Sequence, residues 1–108
     1  MVLSNMASSF VEEVEQQVKE EEKGNTKAAN KHADKIYGLA NKFKELGSEG
    51  KSELINLAKH SNPYVRLWAA CNLDESAKEF AREVLTSLAQ HTNEKYGQNA
   101  QIHLDYNM

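Results

Sequence analysis

Catalysis or metal binding in this 108-residue chain would have to come from few side chains, chiefly four histidines and Cys71. The histidines are His32, His60, His91 and His103. No two of them are three or four residues apart, and no HExxH motif or Cys/His ligand spacing occurs, so the sequence predicts no metal site. Cys71 follows two alanines, which is typical of a cysteine that packs as a small hydrophobic residue. We therefore predict that the protein is not an enzyme and uses no cofactor or small-molecule substrate.

The charged residues remain as candidates for binding, and their distribution is uneven. Residues 1–24 carry six acidic and two basic side chains, residues 25–73 four acidic and eight basic, and residues 74–108 six acidic and three basic. Carboxylate-rich surfaces attract basic proteins and accelerate their association. We therefore predict a basic protein partner. The candidate contact residues are Glu12, Glu13, Glu20, Asp34, Tyr37, Tyr64, Asp74, Glu75, Glu79 and Glu83.

Nucleic-acid binding is an alternative, because four lysines share one face of the second predicted helix. They are Lys27, Lys31, Lys35 and Lys42, with Gly38 among them. Lysines in a row can bind phosphates. No aromatic residues are interleaved with them, however, and the formal net charge of the chain is −3. A solvated helix face is therefore the simpler interpretation, and nucleic acid is not the favoured partner.

The elements that position these residues are predicted to be helices. Five glycines and one proline are too few for the tight turns of a sandwich or barrel, and the length suits one domain over residues 1–108. Apolar residues recur at helical spacing throughout. We predict helices at about residues 4–23, 26–46, 52–59, 63–73, 75–90 and 99–106. Residues 47–50 (GSEG) and 91–98 (HTNEKYGQ) are expected to be loops.

The stretch HSNPYVRLWAACNL, residues 60–73, has the clearest helix start. Asn62 is a good N-cap, and Pro63 falls at the first helical position, where its missing N–H costs nothing. Arg66 is expected to pair with Asp74, and Leu67 to lie nearer the exposed side together with Tyr64. The residues predicted to point inward are Val65, Trp68, Ala69 and Leu73.

Residues 24–73 resemble a small bacterial family of helical domains of unknown function. The shared features are an asparagine after a small residue (Ala29-Asn30), a leucine–glycine stop (Leu46-Gly47) and the pattern H-x-[DN]-P-x-V-R-L-x-A-A. The resemblance covers about half the chain and implies a HEAT-like α-α superhelix of five to six helices in stacked antiparallel hairpins. Asn62 stands where aspartate is common, and the tail after His91 follows no pattern of the family.

The resemblance also implies a function, because genes of such domains often lie near polymorphic toxins. It implies an immunity protein that binds a cognate toxin, for example a nuclease, and blocks its active site. The alternative is a HEAT-like adaptor with another protein partner. The N-terminal MVLSNMASSFVEEVEQQ has no basic start or long apolar run, and no segment approaches the roughly 20 apolar residues of a membrane span. A single cysteine suits a reducing compartment. We therefore expect a cytoplasmic protein with no membrane partner.

Overall fold

The computed structural model describes residues 2–108, and this range contains six α-helices, one 3₁₀ turn and no strand. The predicted all-α architecture of five to six helices is therefore confirmed. The 3₁₀ turn spans Glu75–Ala77. The helices are α1 Val2–Glu22, α2 Thr26–Glu45, α3 Ser48–Leu57, α4 Pro63–Cys71, α5 Lys78–Ala89 and α6 Lys95–Asn107. None of these helices is long and apolar enough to span a membrane.

The chain divides into two compact units, one ending at Leu54 and the other beginning at Ile55. In the first unit α1 packs against α2. In the second unit α5 contacts both α4 and α6, and α4 also contacts α6. Because only short turns separate α1 from α2 and α5 from α6, each of these pairs is a helical hairpin.

The core of the first unit joins the apolar stripes of α1 and α2. Phe10, Val14, Ile36 and Phe43 are fully buried. The rings of Phe10 and Phe43 meet edge to face, with centroids 6.3 Å apart and planes at 64°. Each such side chain contributes about 1.5–3 kcal/mol through burial, and an edge-to-face pair adds about 1 kcal/mol. The four-residue spacing of Phe10 and Val14 thus fixes which face of α1 meets α2.

The core of the second unit is built on α4 and α5, and it corrects one prediction. Val65 and Leu85 are fully buried, and Leu88 is almost so. Leu67 was predicted to lie nearer the exposed side, but it is only 7% exposed. The reason is that α4 contacts both α5 and α6, so that more than one side of this short helix is covered. Trp68, predicted to point inward, is partly exposed.

Capping residues define the helix ends, and the predicted N-cap Asn62 and stop at Gly47 are confirmed. Asn25 caps α2 by accepting a hydrogen bond from the backbone N–H of Ala28 at 3.3 Å, and Asn62 caps α4 through Tyr64 at 2.9 Å. Gly24 and Gly47, which follow α1 and α2, have φ values of +78° and +72°. Glycine adopts this left-handed conformation without the strain that a Cβ atom would add.

Two helices begin four residues earlier than predicted, α3 at Ser48 and α6 at Lys95. Each has a buried glycine as its third residue. A Cβ atom on Gly50 would lie 1.8 Å from the carbonyl oxygen of Phe43, and one on Gly97 would lie 2.0 Å from that of His91. The predicted loops were therefore wrong at residues 48–50 and 95–98, because these glycines allow close packing rather than breaking the helix.

Two smaller corrections concern the end of α4 and the start of α5. The α4 helix ends at Cys71 instead of residue 73, and the side-chain amide of Asn72 donates to the carbonyl oxygen of Trp68 at 2.8 Å. Asp74 accepts a hydrogen bond from the backbone N–H of Ser76 at 3.1 Å, so it caps the 3₁₀ turn that precedes α5. This local side-chain bonding ends one helix and starts the next within a few residues.

Candidate protein-binding surfaces

The ten predicted contact residues are shared equally between the two units. The first unit carries Glu12, Glu13, Glu20, Asp34 and Tyr37. The second carries Tyr64, Asp74, Glu75, Glu79 and Glu83.

In the second unit, Glu75, Glu79 and Glu83 form what we call the acidic stripe. They are four residues apart, and the side chains of Glu75 and Glu79 are 88% and 84% exposed. Lys78 lies 3.9 Å from Glu75, and Arg82 lies 3.3 Å from Glu79. These are exposed pairs within one helical stretch, each worth at most about 1 kcal/mol. The carboxylates are therefore free to take a stronger cationic partner.

Asp74 and Tyr64 have structural contacts in addition to any role in binding. Asp74 is exposed but accepts the capping hydrogen bonds of Ser76. Tyr64 is half-buried and packs edge to face against Tyr96, with ring centroids 5.3 Å apart. Substitution of either residue would therefore disturb the fold of the second unit as well as a bound partner.

In the first unit two of the predicted acids already have partners. Glu13 is half-buried, and its Oε1 lies 2.6 Å from Nδ1 of His32. Glu20 lies 3.7 Å from the ammonium nitrogen of Lys23 and accepts a long hydrogen bond from Asn25. Glu12 and Asp34 are exposed, and Tyr37 is 51% exposed. Glu12, Asp34 and Tyr37 are therefore the most exposed of the five predicted contact residues of this unit.

The four lysines of α2, which we call the lysine stripe, are all exposed. In the described part of the chain, Lys27, Lys31, Lys35 and Lys42 have neither an ion pair nor a hydrogen bond from their ammonium groups. Gly38 lies among them, and a Cβ atom there would meet nothing within 4 Å. A shallow groove on this side is lined by Ser9, Glu13, Lys35, Gly38, Leu39 and Lys42.

The prediction that Arg66 pairs with Asp74 is wrong. Its guanidinium donates to the carbonyl oxygens of His60 at 2.8 Å and Ser61 at 3.0 Å. These carbonyls belong to the turn before α4, six and five residues before Arg66, so the side chain reaches them without crossing to another helix. Arg66 thus holds the turn between α3 and α4.

Cys71 and the histidines, the side chains considered for catalysis, lie in environments typical of structural residues. Burial raises the pKa of the Cys71 thiol to about 12, so it stays protonated near neutral pH and is a poor nucleophile. His60 accepts a hydrogen bond from the backbone N–H of Asn62 at 3.0 Å, and burial lowers the pKa of His103. Residues 2–108 contain no group of three His, Cys, Asp or Glu side chains placed to hold a metal ion.

The charged stripes could be predicted from the sequence, but the groove beside the lysine stripe could not. Ser9 and Leu39 carry no charge and gave no signal in the sequence, whereas Gly38 between lysines was an ambiguous one. Which charges would be paired within the fold was likewise invisible, since the pairing of Glu13 with His32 joins residues nineteen positions apart.

Comparison with solved structures shows one similar fold. The chain is similar to the protein RPA1889 from Rhodopseudomonas palustris CGA009, with a TM-score of 0.88 and 21% sequence identity over 97% of this chain and 87% of that chain. At this identity the similarity concerns the fold. No protein-family model matches the chain, and no curated protein sequence matches it. The comparisons therefore establish an all-α fold shared with RPA1889.

Proposed function

We propose that this protein is an immunity protein, which binds a basic bacterial toxin domain, for example a nuclease, in the cytoplasm and blocks its active site. The observation that carries the proposal is the acidic stripe, three exposed carboxylates spaced four residues apart along the 3₁₀ turn and α5. The identity of the partner as a toxin rests on the family resemblance of residues 24–73.

The energetics of the acidic stripe favour an external cation. Carboxylates four residues apart repel one another and destabilise a helix by a few tenths of a kcal/mol per pair. Lys78 and Arg82 offset this only through exposed contacts. Close charge pairs across a protein interface can instead be worth about 1.5–7 kcal/mol. Ion pairs with a basic partner could therefore stabilise these carboxylates more than the exposed pairs with Lys78 and Arg82 do.

The first unit supplies a second surface of different composition. Tyr37 is half-exposed on α2, and tyrosine is among the residues that dominate binding energy at interfaces. Glu12 and Asp34 are exposed on α1 and α2. Such a combination offers an aromatic contact together with carboxylates. Each unit is therefore tested by its own variant below.

The experiment is to identify the adjacent gene and, where it encodes a toxin domain, to co-express that domain with this protein. We expect growth to be rescued and a complex to elute as one peak in gel filtration. Glu83→Lys should weaken binding at least about tenfold, which corresponds to about 1.4 kcal/mol. For the first unit, Tyr37→Ala should weaken binding if its surface also contributes.

The matched control for the acidic stripe is Glu45→Lys. Glu45 is exposed at the end of α2, has no ion pair in the described part of the chain, and undergoes the same change of charge. The affinity of this variant for the toxin domain should stay within about twofold of that of the unchanged protein. Unchanged toxicity without a complex would reject the immunity function. A complex with some other protein and no adjacent toxin gene would favour the adaptor function instead.

A further inference from the structure

The lysine stripe differs from the acidic stripe because none of its four charged groups has an ion pair in the part of the chain that the structure describes. Glu13, Glu20, Glu75 and Glu79 each lie within 4.0 Å of a basic side chain. The ammonium groups of the stripe are exposed and unpaired in the part of the chain that the structure describes. An anionic ligand would therefore give these ammonium groups the ion pairs that they lack within the fold.

The geometry of the stripe suits a ligand with regularly spaced charges. Lys27, Lys31 and Lys35 are four residues apart, so they follow the helix axis at intervals of about 6 Å. Lys42 extends the line to about 22 Å, and the interval before it is occupied by Gly38. The groove beside Gly38 is open, and its wall includes the hydroxyl group of Ser9 and the side chain of Glu13, whose carboxylate is paired with His32. A flexible chain of anions could therefore follow α2 with its backbone close to Gly38.

We propose that the lysine stripe binds the phosphodiester backbone of a nucleic acid. Each ammonium group that neutralises a phosphate releases condensed counterions, which provides a driving force even at an exposed surface. The acidic stripe of a second copy is the alternative anion, but its three carboxylates carry no condensed counterions whose release would drive binding. Contacts to the backbone alone carry no sequence information, so binding is expected to be independent of sequence.

The test is fluorescence anisotropy of the full chain with a labelled oligothymidylate and, separately, with a DNA duplex. If all four lysines contact phosphates, the logarithm of affinity should fall with that of salt concentration with a slope of about −2.8 for the single strand and about −3.6 for the duplex. Between about 50 and 200 mM salt this is a loss of about 50-fold or 150-fold, respectively. The two slopes distinguish the two sources of phosphate.

The variants compare two lysines on opposite sides of α2. Lys35 belongs to the stripe, whereas Lys44 is nine residues away and therefore lies about 180° around the helix. Both are exposed and unpaired in the part of the chain described. Lys35→Ala should remove about one phosphate contact from the salt slope, and Lys44→Ala should leave the slope unchanged. The double variant Lys31→Glu/Lys35→Glu should weaken binding more than tenfold at about 50 mM salt.

Three results would overturn this proposal. They are the absence of an anisotropy change at about 50 mM salt, equal effects of Lys35→Ala and Lys44→Ala, and binding of polyglutamate as tight as that of the oligonucleotide. The last would indicate an acidic protein ligand. Glu83→Lys should not weaken nucleic-acid binding, since it removes a negative charge from another unit. Failure here is therefore distinguishable from failure of the proposed toxin binding.

Discussion

The two compact units start a helix in the same way, but each carries an exposed row of charges and the two rows are opposite in sign. In the first unit Gly50, the third residue of α3, lies against the carbonyl group of Phe43. In the second unit Gly97, the third residue of α6, lies against the carbonyl group of His91. The exposed face of α2 carries the lysine stripe, whereas that of the 3₁₀ turn and α5 carries the acidic stripe.

This comparison shows that the packing of a helix and the charge on its far side are set by different residues. The glycines and the buried apolar side chains determine how each unit packs. The exposed lysines and glutamates are not needed for that packing, and the acidic stripe has only weak internal pairs. Charge can therefore be altered for binding studies without loss of the fold, whereas the glycines cannot be changed in that way.

The largest expected effect comes from adding a methyl group at either buried glycine. In Gly50→Ala the new Cβ would overlap the carbonyl oxygen of Phe43 at 1.8 Å. In Gly97→Ala it would meet the oxygens of His91 at 2.0 Å and Leu88 at 2.9 Å. Since these are backbone atoms, the helices must shift, and we expect a loss of about 3 kcal/mol in each case. Urea denaturation followed by circular dichroism measures both.

If both helices start through the close approach of a glycine to a backbone carbonyl group, the two variants should be destabilised to a similar extent. A loss below about 0.5 kcal/mol for either one would show that its helix start does not depend on close approach. In that case the parallel between the units would be limited to the position of the glycine in the sequence.

A smaller difference is expected between the two asparagine caps. Asn62 accepts a hydrogen bond at 2.9 Å at a partly buried site, whereas Asn25 accepts one at 3.3 Å at an exposed site. We expect Asn62→Ala to cost about 1–2 kcal/mol and Asn25→Ala about 0.5–1 kcal/mol. The same denaturation experiment applies. Equal losses, or a larger one for Asn25, would mean that burial does not strengthen the cap.

The same residues show how far the fold could be predicted from sequence. Asn62-Pro63 and Leu46-Gly47 marked helix ends correctly, because capping and left-handed glycine are local effects. Gly50 and Gly97 were misinterpreted, because a glycine that breaks a helix and one that packs against a neighbouring carbonyl look alike in sequence. Only the three-dimensional contact distinguishes them.

The candidate surfaces were predictable to a similar degree. Helix periodicity placed the lysines of α2, which are four or seven residues apart, on one face of that helix. The sequence could not show that Arg66 bonds to backbone carbonyls instead of Asp74, or that Leu67 is buried. Both depend on which elements surround α4. Exposure and pairing, which decide whether a charge is available to a partner, are thus properties of the tertiary structure.

The smallest expected effect is at Gly38, where the same substitution should act in the opposite direction. Gly38 is exposed in the interior of α2, and a Cβ atom there would meet nothing within 4 Å. Gly38→Ala therefore adds helix propensity without a clash, and we expect stabilisation of about 0.5–1 kcal/mol. Destabilisation in the same urea experiment would contradict the open surface beside the lysine stripe. A gain at Gly38 together with losses at Gly50 and Gly97 would separate glycines that permit packing from one that leaves a surface open.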